Sequence, residues 1–206
     1  MTFHALTIVL GWTAVTLGLI STVAQFRRVT RNGIEGVSLA TWVIFVYMGI
    51  FWITYGVVRD SAEIVLGSLL VLPVQLGILF RLAPWRHQRI VWQSLAFIGL
   101  FGVVPTILGG WSDGVYGIGI AMSITRGPQI LELVRSRDAS GVSVSSWALG
   151  AVGAALWMIY YVGAHLWAAF IATGLAGVAS LTIAVLATWR QQTDRRATSL
   201  AVAYSD

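Results

Sequence analysis

The stretch TRGPQILELVRSRDASGVSVSSW, from Thr125 to Trp147, decides how the rest of the chain is read. An apolar run over 115–124 leads into Arg126, Gly127, Pro128 and Gln129, where a helix ought to continue. Proline has no N–H to give and its ring crowds the preceding turn, so the helix is expected to bend there, with Gln129 placed to bridge freed backbone groups. A partial copy, AQFRRVTRNGIEGVSLATW, stands earlier, from Ala24 to Trp42.

The solvent of this chain follows from its composition. Of 206 residues, 57% are hydrophobic and 10% charged, against about 25% charged in a soluble domain. The apolar residues come in runs, and these predict an all-α integral membrane protein. Seven spans fit, at 5–23, 37–58, 62–82, 90–108, 115–133, 147–162 and 166–188. Solid apolar runs exclude a β-barrel, whose strands alternate. The start, MTFHALTIVLGW, carries no basic leader and is read as a retained first span. Residues 190–206 are read as a short disordered cytoplasmic tail.

Every basic residue is an arginine. With seven spans, eleven arginines fall on the side of the C-terminus and only Arg59 on the other, Arg126 being set aside as close to the membrane. The asymmetry predicts an outside N-terminus and a cytoplasmic C-terminus, and the use of arginine without lysine points to a high-GC bacterial genome and so to a bacterial cytoplasmic membrane. The net charge of +5 then reflects anchoring at anionic lipid, with no nucleic acid as partner.

The copy extends further. Gln25 pairs with Gln129, and a constant offset of 105 then places Gly36-Val37-Ser38 over Gly141-Val142-Ser143, Trp42 over Trp147, Trp52 over Trp157, Tyr55 over Tyr160 and Ser68 over Thr173. This is an internal repeat of three helices. Two such units keep one orientation only if a single helix intervenes, which is the role given to 90–108. The expected organisation is a first unit over 5–82, a linker with the fourth helix over 83–111, a second unit over 112–189 and the tail. In shorthand it is 3+1+3, with the units related by an axis along the membrane normal.

These motifs resemble the PQ-loop superfamily. Pro128-Gln129, the basic loop ending Gly141-Val142-Ser143 and the Trp-x-x-Tyr of LWMIYYVG (156–163) and FWITYGVV (51–58) are most similar to its SWEET sugar-transporter branch. Two positions depart from the pattern. Ala24 stands where the first motif has proline, and Ser68 and Thr173 stand where the family lines its sugar pocket with asparagine.

The expected site follows from symmetry. Trp52 and Trp157 sit mid-span on the second helix of each unit, where a two-fold brings them face to face and their flat rings can sandwich the C–H face of a sugar. The resemblance assigns them the same role. Ser68 and Thr173 would supply hydroxyls, and Met48 and Gly153, a turn before the tryptophans, would set an unequal pocket width. Ala24, Gln25, Pro128 and Gln129 are the expected gate and hinge, with Arg126 either snorkelling to the cytoplasmic interface or lining that gate. Tyr55, Tyr160, Trp42, Trp147, Trp111, Trp167 and Trp189 are read as an aromatic belt near span ends.

Other chemistries are excluded. No lysine is present for a retinal Schiff base, no cysteine for a thiolate site, and His4, His87 and His165 are too scattered for a metal. No span carries an acid pair or nucleophile–base set, so neither an enzyme nor a cofactor is expected. What is expected is passive, bidirectional uniport of a small polar solute, a mono- or disaccharide first, by alternating access. The partners are that solute and the bilayer, and a homo-oligomer is compatible. The rivals are an amino-acid or other metabolite carrier, proton-coupled or not, and a receptor or sorting protein without flux.

Overall fold

The computed structural model describes the chain except residues 1–2, 33, 35–37, 136–141 and 204–206, with backbone alone at 3–4, 28, 32, 128–129, 132 and 194–203. Among the described residues every regular element is helical. These are α1 (Phe3–Asn32), α2 (Leu39–Val58), α3 (Ala62–Arg81), a 3-10 turn (Pro84–Arg86), α4 (Gln88–Ile98), a π-helical segment (Gly99–Val103), α5 (Val104–Gly109), α6 (Trp111–Ile124), α7 (Gly127–Arg135), α8 (Val144–Gly163) and α9 (Trp167–Ala203). Among the described residues, six continuous stretches are long and apolar enough to cross a bilayer: Ala5–Arg31, Leu39–Val58, Ala62–Arg81, Gln88–Gly109, Val144–Gly163 and Trp167–Thr193. The chain is an all-helical protein of membrane-spanning character.

The remaining expected span, 115–133, is two helices. The structure ends α6 at Ile124, turns at Thr125 and Arg126 and restarts as α7 at Gly127. Arg126 N–H donates to the Ser123 carbonyl and Ile130 N–H to the Arg126 carbonyl, both at 3.1 Å. Position 128 has no N–H to give to the Ile124 carbonyl, so the ladder fails where the proline predicts. The terminal tail differs from expectation, because α9 runs unbroken to Ala203. Arg190 holds its emerging end by donating to the carbonyls of Leu133 and Val134 at 3.0 and 2.8 Å.

The fourth span carries its own irregularity. Val104 N–H bonds the Gly99 carbonyl, five residues back, which is the π-helical pattern. Proline at 105 follows at once. The glycines of α6 explain its fit here, since a Cβ on Gly117 would collide with the Phe101 carbonyl oxygen. Only a glycine lets the two backbones approach so closely.

In the packing, α3 touches both α1 and α2, and α9 touches both α6 and α8. α1 faces α8, while α4 and the π-helical segment join α2 to α6 through Ile44, Met48, Ile98, Ile118 and Ala121.

Local geometry recurs at the offset read from the sequence. α2 and α8 begin at Leu39 and Val144 and end at Val58 and Gly163, and α3 and α9 begin at Ala62 and Trp167, each pair 105 apart. Ser38 and Ser143 are both N-caps, accepting from the amides of Thr41 and Ser146 at 3.4 Å. After α2, the amides of Arg59, Asp60 and Ser61 return to the carbonyls of Tyr55, Val57 and Gly56. After α8, those of Ala164, His165 and Leu166 return to Tyr160, Val162 and Tyr161. Asp60 and His165, equivalent positions, both sit in the left-handed region, at φ 50° and 55°. Such a conformation is uncommon for any residue but glycine, so its recurrence marks the same closed turn.

Candidate functional site

The two tryptophans come together, but not across an empty space. Tyr161 lies between them, its ring 6.3 Å from Trp52 with an interplanar angle of 12° and 5.5 Å from Trp157 at 19°. Both are offset-stacked arrangements. Each tryptophan also holds the tyrosine three residues on edge-to-face at 5.6 Å, Trp52 with Tyr55 at 83° and Trp157 with Tyr160 at 84°. Residues three apart share a helix face, so one inward stripe supplies both rings. Phe51 and Trp111 complete the cluster beside Tyr55.

This end of the bundle is tied across its two halves. Tyr160 on α8 donates to Glu63 Oε2 at 2.9 Å and shares a 2.8 Å hydrogen bond with Ser61, the N-cap of α3. Small residues let the halves approach. A Cβ on Gly11 of α1 would sit 2.8 Å from the Tyr160 ring, and one on Gly67 of α3 would press Val15 and stand 3.5 Å from Trp157. The Gly163 backbone meets Thr7 in the same way.

At the opposite, arginine-rich end the buried clusters join sequence-adjacent helices, α1 to α3 on one side and α7 with α9 on the other. Val29, Trp42, Ile78 and Leu82 form the first cluster, and Leu133, Ile183 and Ala187 the second. Between these clusters the inner face of α8 is unfilled. A Cβ on Gly153 would meet nothing within 4 Å, and one on Gly150 only Ser180 Oγ at 4.0 Å.

The other expected residues divide. Thr173 stands against the Tyr161 hydroxyl, so it reaches the stack. Ser68 is half-buried one residue beyond Gly67, which itself abuts Trp157. Met48 is 4% exposed and packs with Ile98 and Ile118, whereas its counterpart Gly153 faces open space. Ala24 is exposed on α1 beside a shallow apolar hollow of about 370 Å³ lined by Leu19, Ile20, Val23, Ala24 and Arg27. That hollow lies along one helix, away from the tryptophans. Gln25 is half-buried, and the side chains of Pro128 and Gln129 lie outside the described residues.

Two expectations need correction. Of the two alternatives for Arg126, snorkelling to the interface is not what the side chain does, and lining the gate stays open: its Nη1 donates back to the Met122 carbonyl at 2.6 Å and its Nε to Ser180 Oγ at 3.1 Å. The aromatic belt is also smaller than expected. Trp167 and Trp189 are exposed, but Trp42, Tyr55 and Tyr160 are buried, because their inward helix face outweighs their closeness to a span end.

Tyr161, Ser61, Glu63 and Ser180 were not singled out by the sequence. Tyr161 has Gly56 as its equivalent, where a Cβ would come 2.8 Å from Val65, so symmetry gave no signal for it. Among the described residues no His, Cys, Asp and Glu group could hold a metal. No family model matches the chain, and neither curated proteins nor solved structures give a match.

Proposed function

We propose that this protein is a passive, bidirectional transporter of a small polar solute, with a mono- or disaccharide first among candidates, built as two parallel three-helix units and a linker helix. The recurrence of caps, turns and ring pairs at offset 105 supports the two units. In this reading the broken α6–α7 pair crosses as one interrupted helix and completes seven spans, with the N-terminus outside and the C-terminus in the cytoplasm. The SWEET-like motifs agree with it.

The observation that carries the reading is the uneven closure of the bundle. Contacts between the units gather around Tyr160, Tyr161 and the two tryptophans, while at the arginine-rich end each unit packs on itself. A bundle closed outside and parted inside is one of the two states that alternating access requires. Tyr161 then occupies the place between the tryptophan faces, and solute entering from the cytoplasm engages the ring system from below, beside Gly153 and Thr173. The halves rock about the small-residue contacts at Gly11, Gly67 and Gly163.

Uptake of radiolabelled mono- and disaccharides, with amino acids alongside, into proteoliposomes tests the reading. Saturable entry of at least one sugar is expected. Entry of amino acids alone would replace the substrate class, and binding of a peptide without any flux would replace transport by a receptor role.

A further inference from the structure

Among the described residues Arg126 is a charge with no countercharge. It keeps its proton at physiological pH, and its guanidinium is turned inward between α6 and α9, held by a carbonyl and a serine hydroxyl. Both partners are neutral. Among the described residues no carboxylate stands close enough to act on it. Ser180, buried at 3%, is itself anchored by donating to the Ala176 carbonyl at 2.9 Å, so the hydroxyl offers its lone pair to Arg126 and the pair forms one fixed unit.

Depth distinguishes this arginine from the others. Ser180 precedes Arg190 by ten residues on α9, which is ~15 Å of helix rise. The guanidinium also points toward Met122, one turn further from the arginine-rich end. It is held short of the level of the other arginines on its side, where lone basic residues usually settle. A permanent charge held inside apolar helices is costly and marks pairing or function.

Its surroundings place it at open space. Gly150 and Gly153 continue the Trp157 face of α8, and the nearest atom to a Cβ at Gly150 is Ser180 Oγ. The unfilled face of α8 therefore borders the Arg126–Ser180 unit. On the first three helices the position equivalent to Ser180 is Gln75, whose buried Oε1 has no hydrogen-bond partner. Polar groups thus mark the same level in both units, and only one of them is cationic.

We propose that Arg126 binds an anionic oxygen, carboxylate or phosphate, in the open space beside Gly150 and Gly153 on the Trp157 face of α8, and that the preferred solute carries such a group. This rests on the transport reading and narrows its substrate to acidic forms of small polyols and sugars, a sugar carboxylate being the simplest. Nε and one hydrogen of Nη1 are already engaged, which leaves three N–H donors, two of them on Nη2, to meet the anion in charge-assisted hydrogen bonds. The asymmetry between Arg126 and its first-unit counterpart Thr22 gives the solute one orientation in that space.

The test compares glucose with glucuronate in proteoliposome counterflow and in direct binding to the detergent-solubilised full chain by tryptophan fluorescence. Glucuronate is expected to bind roughly tenfold or more tightly than glucose, the scale of one charge-assisted hydrogen bond. Arg126→Gln should remove that preference, and Arg126→Lys should restore part of it. Liposomes with and without phosphatidylglycerol separate the two sources of anion. A preference that disappears when the anionic lipid is added would mean that a lipid phosphate fills the site instead of the solute. Equal binding of the two sugars by the unmodified chain, or a preference that survives Arg126→Gln, overturns the proposal while glucose flux leaves the transport reading standing. Glucuronate binding that depends on Arg126 without any flux sinks the transport reading and keeps the anion site.

Discussion

Tyr160 and Glu63 join α8 to α3 by a 2.9 Å hydrogen bond from phenol to carboxylate. The bond sits at the end of the bundle where α8 and α3 both pack near α1. In the transport account it is part of the outer latch, together with the 2.8 Å bond to Ser61.

Tyr160→Phe keeps the ring against Gly11 and Trp157 and deletes only the hydroxyl. Hydrogen bonds to charged groups are worth about 1.5–3 kcal/mol, so the balance between closed and open outer ends should move by roughly tenfold or more. Spin labels on cysteines at Ala62 and Ala164 read this directly. A single short distance is expected in the parent, and a second, longer one should appear in the variant. An unchanged distribution would remove Tyr160 from the latch.

Trp52→Ala and Trp157→Ala should each abolish flux while folded protein remains in the membrane. The stack distinguishes this from a general loss of packing. Tyr161→Phe preserves both ring contacts and should transport nearly as well as the parent, whereas Tyr161→Ala opens a void between two tryptophans. Truncating a buried aromatic costs about 3–5 kcal/mol. The alanine variant should therefore lose thermal stability as well, measurable by fluorescence melting in detergent. Normal flux in both tryptophan variants would show that the solute goes elsewhere.

Pro128→Ala returns an N–H opposite the Ile124 carbonyl and favours a continuous α6–α7 helix. Cycling should slow while solute affinity changes little, because the change is at the break and not beside the rings. Comparing initial counterflow rates with binding constants separates the two. A large loss of affinity with unchanged cycling would place position 128 in the binding cavity.

The topology has its own check. Single cysteines replacing Ala62 and His87, both exposed, lie at opposite ends of α3 and the turn that follows it. Membrane-impermeant maleimide should label the first from outside and the second only after permeabilisation. Labelling of both from one side would contradict the orientation derived from the arginines.

Much of the fold was readable because its punctuation is local. Ser38 and Ser143 cap helices, Pro128 removes one named hydrogen bond, and the offset of 105 fixes equivalent boundaries without any knowledge of packing. Other features depend on which way a side chain turns in three dimensions. Arg126 is four residues from Met122 on one helix and finds Ser180 on another, and no linear pattern says that it folds inward. Tyr55 and Tyr160 lie near helix ends, as belt residues do, yet their faces point to the partner unit. Arg190 anchors α9 on the carbonyls of Leu133 and Val134, a contact that a polar, charged tail sequence does not announce. Tyr161 escaped notice because the comparison of units exposes shared residues and passes over the one that breaks the symmetry.

The account predicts flux without an energy input, since the central parts of the spans contain no Asp, Glu, His or Lys to bind a coupling ion. Proteoliposomes preloaded with unlabelled solute and diluted into trace labelled solute measure this most directly. Transient counterflow is predicted, its rate and extent unaffected when the pH gradient is collapsed or Na⁺ is withdrawn. Accumulation above the equilibrium concentration under an imposed proton or Na⁺ gradient would contradict the account.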